Sequence, residues 1–196
     1  MFLISHRINR IVDIIKTNPE HGIEIDIRDN GKKLIVVHDP LQKGIELTKF
    51  LKYFKHAFLI ANIKSERIEE EVIKVLKRYK IKNYFFLDSS FPQIINLIKK
   101  RHSKIAIRVS YYEGLETAKK LKKKVKWVWY DTFYGLPKNF KDFEKLKNYG
   151  YKICLVSPEL HGKSLDANSK FLKKLKNKDL IDAVCTKDKF FYKWIN

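Results

Sequence analysis

The stretch Gly22-Ile23-Glu24-Ile25-Asp26-Ile27-Arg28, running on into Asp29-Asn30-Gly31, decides how the rest of the chain is read. Apolar and charged residues alternate without a break. A strand's period of two therefore puts Ile23, Ile25 and Ile27 on one face and Glu24, Asp26 and Arg28 on the other. Asn30-Gly31 is a hairpin-turn signal, and Leu34 to Val37 behind it reads as the returning strand. An exposed edge strand with one wet face would show the same alternation, so the flanking sequence has to choose.

Outward from this segment, short β-rich runs recur at Phe2 to Ser5, Phe58 to Ile63, Tyr84 to Leu87, Ile105 to Val109, Trp127 to Tyr130, Ile153 to Val156 and Ile181 to Cys185. Between them, Ile8 to Ile15, Leu47 to Phe54, Ile68 to Tyr79, Pro92 to Lys100, Leu115 to Lys123, Phe140 to Asn148 and Ser169 to Lys176 carry apolar residues at helical spacing. With the hairpin counted as an elaboration of the second strand, the rhythm gives eight βα units. Eight alternating units predict an α/β fold of the compact (β/α)8 TIM-barrel type, one domain over residues 1–196. The chain is short for it, since such barrels typically run to roughly 250 residues. An open doubly wound sheet is the alternative, but no Gly-rich phosphate fingerprint follows the first strand. In a barrel the isoleucine face meets the helices, so Glu24 and Asp26 point inward, and chemistry belongs at the C-terminal strand ends.

Composition narrows the classes. With 44% hydrophobic and 13% aromatic residues the chain can build a core, which excludes wholesale disorder. No window reaches the 18 or so apolar residues of a membrane span, and Met1 to Arg7 meets charge too early for a secretory signal, so the expectation is a cytoplasmic protein. Cys154 and Cys185 lie in apolar runs and read as small buried thiols. The formal charge of +20 suits an anionic partner. The cations are mostly lysines spread over the helical segments, as in Lys119, Lys120 and Lys122 to Lys124, which reads as solvated faces rather than phosphate-reading arginine. Nucleic-acid binding ranks last, because no aromatic and basic residues interleave as on a single-strand platform. A small anionic substrate fits the charge equally well.

Polar residues gather at the strand ends. Inward carboxylates two residues apart are costly unless a cation neutralises them, which makes Glu24 and Asp26 candidates for hard-metal ligation. His6 and Arg7 close the first strand, His38 and Asp39 the returning strand, and Lys64 the third. Two histidines flanking a carboxylate pair suit proton transfer near neutral pH, one as base and one as acid. Asp88, Arg108, Tyr130, Asp131, Glu159 and His161 lie at later strand ends, where substrate contacts are expected; the plain alternative for each is a loop-anchoring role. Trp127 and Trp129 read as core and helix-packing residues.

His6-Arg7, then Gly22-Ile23-Glu24-Ile25-Asp26, then Val36-Val37-His38-Asp39-Pro40 together resemble the signature of the glycerophosphodiester phosphodiesterase family, whose pattern is HR, then G-x-E-x-D, then a hairpin into HD. More weakly, Ile60 to Lys64 is similar to the family's E-I-K strand, Ser90-Phe91 to its SF strand end, and Ile181 to Thr186 to its closing VDGI-x-T strand. The resemblance implies a phospholipase C-like barrel with Mg²⁺ or Ca²⁺ on Glu24 and Asp26, His6 and His38 as the acid and base pair, and Arg7 and Lys64 on the phosphate. It implies that a hydroxyl of the substrate's own alcohol attacks a small anionic phosphodiester, and that water then opens the cyclic phosphate. Three departures stand out. Asn62 replaces the family's third carboxylate, bringing an amide oxygen without charge, and Asp88 is a candidate to compensate. Ile8 replaces the glycine after HR. Val156-Ser157-Pro158-Glu159-Leu160-His161-Gly162 replaces the usual seventh strand end, which puts the usual leaving group in doubt. A weakened member that binds a phosphorylated sugar or polyol without turnover is the alternative.

Overall fold

The computed structural model describes residues 1–137, 139–165, 169–176 and 179–195. Among them the chain begins β1 (Phe2–Ser5), α1 (Ile11–Lys16), β2 (Gly22–Asp29), β3 (Leu34–Val36), β4 (Ile45–Glu46), α2 (Leu47–Phe50) and β5 (Phe58–Ile63). It continues α3 (Glu69–Arg78), β6 (Tyr84–Leu87), α4 (Phe91–Lys99), β7 (Ala106–Val109), α5 (Leu115–Leu121) and β8 (Trp127–Tyr130). It ends α6 (Lys141–Asn148), β9 (Lys152–Val156), α7 (Ser169–Lys176), β10 (Ala183–Thr186) and α8 (Phe191–Ile195).

Eight of these strands run parallel. β1 lies between β2 and β10; β2 pairs with β5 and β5 with β6; on the other side β10 pairs with β9, β9 with β8 and β8 with β7. β6 and β7 meet at a single parallel bridge, Phe86 opposite Ile105, where the Phe86 N–H donates to Lys104 O at 3.0 Å. The expected hairpin is present, with β3 antiparallel to β2, and it carries β4 as an additional antiparallel strand.

Period two sorts the side chains onto the two faces of the sheet. Ile23, Ile25 and Ile27 belong to the same continuous apolar layer as Val72 and Leu76 of α3, Ala118 of α5 and Phe143 and Leu146 of α6. From β5, Leu59, Ala61 and Ile63 join that layer, while Phe58 and Ile60 turn to the opposite face. There they meet Ile4, Phe85, Trp127, Trp129, Cys154 and Cys185. Trp127 and Trp129 are thus core residues on the side away from the helices, not helix-packing ones, because they share parity along β8. Both cysteines are free and buried, as expected. Local signals place the helices: α3 opens with Glu69, Glu70 and Glu71 and closes with Lys77 and Arg78, which suits the helix dipole, and Pro92 stands in the first turn of α4. No helix among the described residues is long and apolar enough to cross a membrane.

Candidate active site

β2 delivers the two carboxylates. Glu24 and Asp26 are each 1% exposed and lie on the face opposite the three isoleucines. The parallel register sets Asp26 beside Asn62 of β5 and Glu24 beside Ile60. Asn62 Nδ2 donates to Glu24 Oε1 at 2.9 Å. The other Glu24 oxygen accepts the Arg7 backbone N–H at 2.6 Å and lies 3.9 Å from His6 Nε2. Arg7 reaches this position with φ 57, a left-handed conformation at the end of β1 that turns its N–H toward Glu24. Burial, then the charge of Asp26, raise the Glu24 carboxyl above its usual range.

Asp26 is held from three sides. Asn9 Nδ2 donates to its Oδ2 at 2.7 Å, and its own backbone N–H donates to Asn9 Oδ1 at 2.9 Å. Arg7 Nε lies 3.9 Å from Oδ2 and Lys64 Nζ 3.8 Å from Oδ1. Sequence reading missed Asn9, since nothing in its spacing marks it.

Both histidines lie beside these carboxylates, His6 against Glu24 and His38 against Arg7. Arg7 Nη2 donates to His38 Nε2 at 2.9 Å, so the His38 proton is on Nδ1, 2.7 Å from Asp39 Oδ1. Burial, then the Arg7 cation, push His6 down from 6.5 to about 4, which keeps its ring neutral at neutral pH. Arg28 organises the surroundings: Nε donates to His38 O at 2.9 Å and Nη1 to Lys64 O at 2.7 Å, tying two loops to β2. Its place on the carboxylate face was the one sequence signal for that role.

The later strand ends form a continuous line of alternating charge. Lys64 Nζ donates to Asp88 Oδ2 at 3.0 Å, Arg108 bridges Asp88 and Asp131, and His161 Nε2 meets the other oxygen of Asp131. Asp88 therefore spends both oxygens on Lys64 and Arg108, in a left-handed conformation at φ 58. Glu159 anchors its loop, accepting from Ser157, from Thr186 Oγ1 at 2.5 Å and from the Lys187 N–H at 3.3 Å. The Tyr130 hydroxyl turns to Asp142 of α6 at 3.2 Å.

Two oxygens in this site are buried and accept no hydrogen bond: Asp26 Oδ1 and Asn62 Oδ1. Buried oxygens that accept no hydrogen bond, beside a second carboxylate, suit a hard divalent cation. The set is lean in charge, since among the described residues no three His, Cys, Asp or Glu side chains are grouped for a metal ion.

The fold is similar to that of a glycerophosphodiester phosphodiesterase from Agrobacterium tumefaciens str. C58, with a TM-score of 0.66 and 12% identity over 94% of this chain and 96% of that one. No family model matches the sequence, and no curated protein does. At this identity the likeness is one of fold.

Proposed function

We propose that the chain belongs to the glycerophosphodiester phosphodiesterase family, folds as a (β/α)8 barrel whose weak seam is the β6–β7 bridge, and cleaves a small glycerol- or polyol-linked phosphodiester. One observation carries this reading: His6, Arg7, Glu24, Asp26, His38 and Lys64, from β2 and from the ends of β1, β3 and β5, form one chain of contacts of 3.9 Å or less. The fold likeness to a glycerophosphodiester phosphodiesterase supports it.

In this reading Arg7 and Lys64 bind the phosphodiester oxygens, where their charges also stabilise the more negative transition state. Neutral His6 takes the proton from the attacking hydroxyl of the substrate's own alcohol. The new P–O bond closes a cyclic phosphate as the bond to the leaving oxygen breaks. Once Arg7 has turned to the phosphate, His38 Nε2 takes up a proton from solvent, Asp39 at Nδ1 stabilises the imidazolium so formed, and Nε2 gives that proton to the leaving oxygen. Water then opens the ring with the roles reversed. Covalent attachment already holds the nucleophile near the phosphorus, which removes much of the entropic barrier. Glu24, Asp26 and the Asn62 amide oxygen would hold Mg²⁺ or Ca²⁺, which supplies further neutralisation of phosphoryl charge.

The test is alcohol release from a panel of glycerol phosphodiesters with added Mg²⁺ or Ca²⁺. His6→Ala and His38→Ala are each expected to lower kcat by about 10²–10⁴-fold while leaving the melting curve in place. Undiminished turnover in both variants removes the acid/base assignment. A second reading, a phosphorylated-polyol binder without turnover, is favoured by the Asn62–Glu24 hydrogen bond, which puts a neutral amide where a third carboxylate would be. Phosphate binding with no alcohol released by the unaltered chain would select it.

A further inference from the structure

The rim of the candidate site exposes large hydrophobic side chains that the chemistry does not use. Tyr111 and Tyr112 follow β7 and Tyr134 follows β8, on loops leaving strand ends that carry the site, and Phe91 opens α4 after β6. Leu41 lies three residues beyond His38 on the same loop. It is 106% exposed and holds φ 63, a conformation in which glycine would be less strained.

The tyrosines form one continuous patch. Ring centroids lie 5.2 Å apart for Tyr111–Tyr112, 4.9 Å for Tyr111–Tyr134 and 5.9 Å for Tyr112–Tyr134, and the Tyr112 and Tyr134 hydroxyls hydrogen-bond to each other. Rings this close touch one another, so no small molecule fits between them as in an aromatic cage. What they offer is an outer surface to something broad. Tyrosine's apolar ring and polar tip favour the headgroup level of a bilayer. Charge points the same way: the chain carries +20, and Lys43 beside Leu41, Lys163 after β9 and Lys187 after β10 stand exposed on loops of this end.

We infer that this end of the molecule docks on an anionic lipid bilayer, with Leu41, Tyr111, Tyr112 and Tyr134 at headgroup depth, so that the phosphodiester it takes is part of a lipid whose polyol headgroup carries the attacking hydroxyl. Docking in this orientation sets the Glu24–Asp26 mouth over the plane in which lipid phosphates lie. The lipid substrate rests on the phosphodiesterase reading, whereas the docking is measured without turnover.

The test is co-sedimentation of the full chain with vesicles of phosphatidylcholine alone and with vesicles of phosphatidylcholine and phosphatidylglycerol in equal amounts. Binding to the mixed vesicles is expected, with little to phosphatidylcholine alone. A Tyr111→Ser, Tyr112→Ser, Tyr134→Ser variant is expected to bind about tenfold or more weakly, and Leu41→Ser alone to weaken binding measurably. Both variants should keep the wild-type rate on a water-soluble glycerol phosphodiester, which separates failure of docking from failure of the chemistry. A control that replaces Lys119, Lys120 and Lys122 on and after α5 by Gln should bind nearly as well as wild type. Absence of binding to mixed vesicles overturns the inference. So does rim-variant binding equal to wild type, or loss confined to the α5 control, either of which would assign the attraction to lysine faces elsewhere.

Discussion

His56 stands two residues before β5, with one ring nitrogen on Thr17 O at 3.1 Å and Nδ1 buried without a partner. Burial pushes its pKa below the ordinary 6.5, and burial together with the Lys104 cation does the same to His102. The unfolded chain takes up protons near pH 6.5 that the folded rings resist, so this stability is complete above about pH 6.5 and is lost as pH falls below it. The melting temperature is expected to fall between about pH 7 and pH 5, less steeply in His56→Gln, which keeps a donor for Thr17. An equal slope in that variant would exclude His56 as a source. At this scale the sequence showed which residues had useful chemistry but not their states. Asp39 beside His38, Arg28 on two carbonyls and Asn9 on Asp26 fix those states, and each depends on a neighbour the chain brings in from elsewhere.

The strands were the most legible elements. Phe2–Ser5, Phe58–Ile63, Tyr84–Leu87 and Trp127–Tyr130 fall where their β-rich runs place them, because period two and branched or aromatic side chains are local properties. β4, two residues long, and α8, in an aromatic tail, offered too few turns of any pattern to be seen. Ile105 drops out of β7 because only a bridge to Phe86 remains at that join. The predicted helix over Leu47 to Phe54 is α2 followed by a 3-10 turn at Leu51–Tyr53. Gly22 opens β2 between β1 and β5, where a Cβ would meet Ile4 Cδ1 and come within 3.0 Å of Phe58 O. Gly22→Ala is therefore expected to destabilise by about 1–3 kcal/mol in denaturant melts, through overpacking between two central strands. A change within a few tenths of a kcal/mol would show that β1 and β5 have more freedom than their register suggests.

The whole molecule carries 42 Lys and Arg against 22 Asp and Glu, and self-repulsion among the lysine faces opposes the compact state. Sodium chloride shortens the screening length from about 10 Å at 0.1 M to about 3 Å at 1 M, so the melting temperature is expected to rise over that range. Chloride is the right salt, because sulfate also strengthens apolar burial. A flat or falling curve would mean that the ion pairs of the mouth outweigh the repulsion. The sequence by itself determined the order of strands and helices, the sorting of β2 into an apolar and a charged face, and the residue types at each strand end. These follow from periodicities of 2 and 3.6 that a single segment carries within itself. Only the tertiary structure decided that Arg7 meets His38, that Asp88 serves Lys64 and Arg108, and that three tyrosine rings from two loops make one surface. Those pairings join residues about 20 or more apart, and their distances are set by strand register and sheet curvature, which no local pattern encodes.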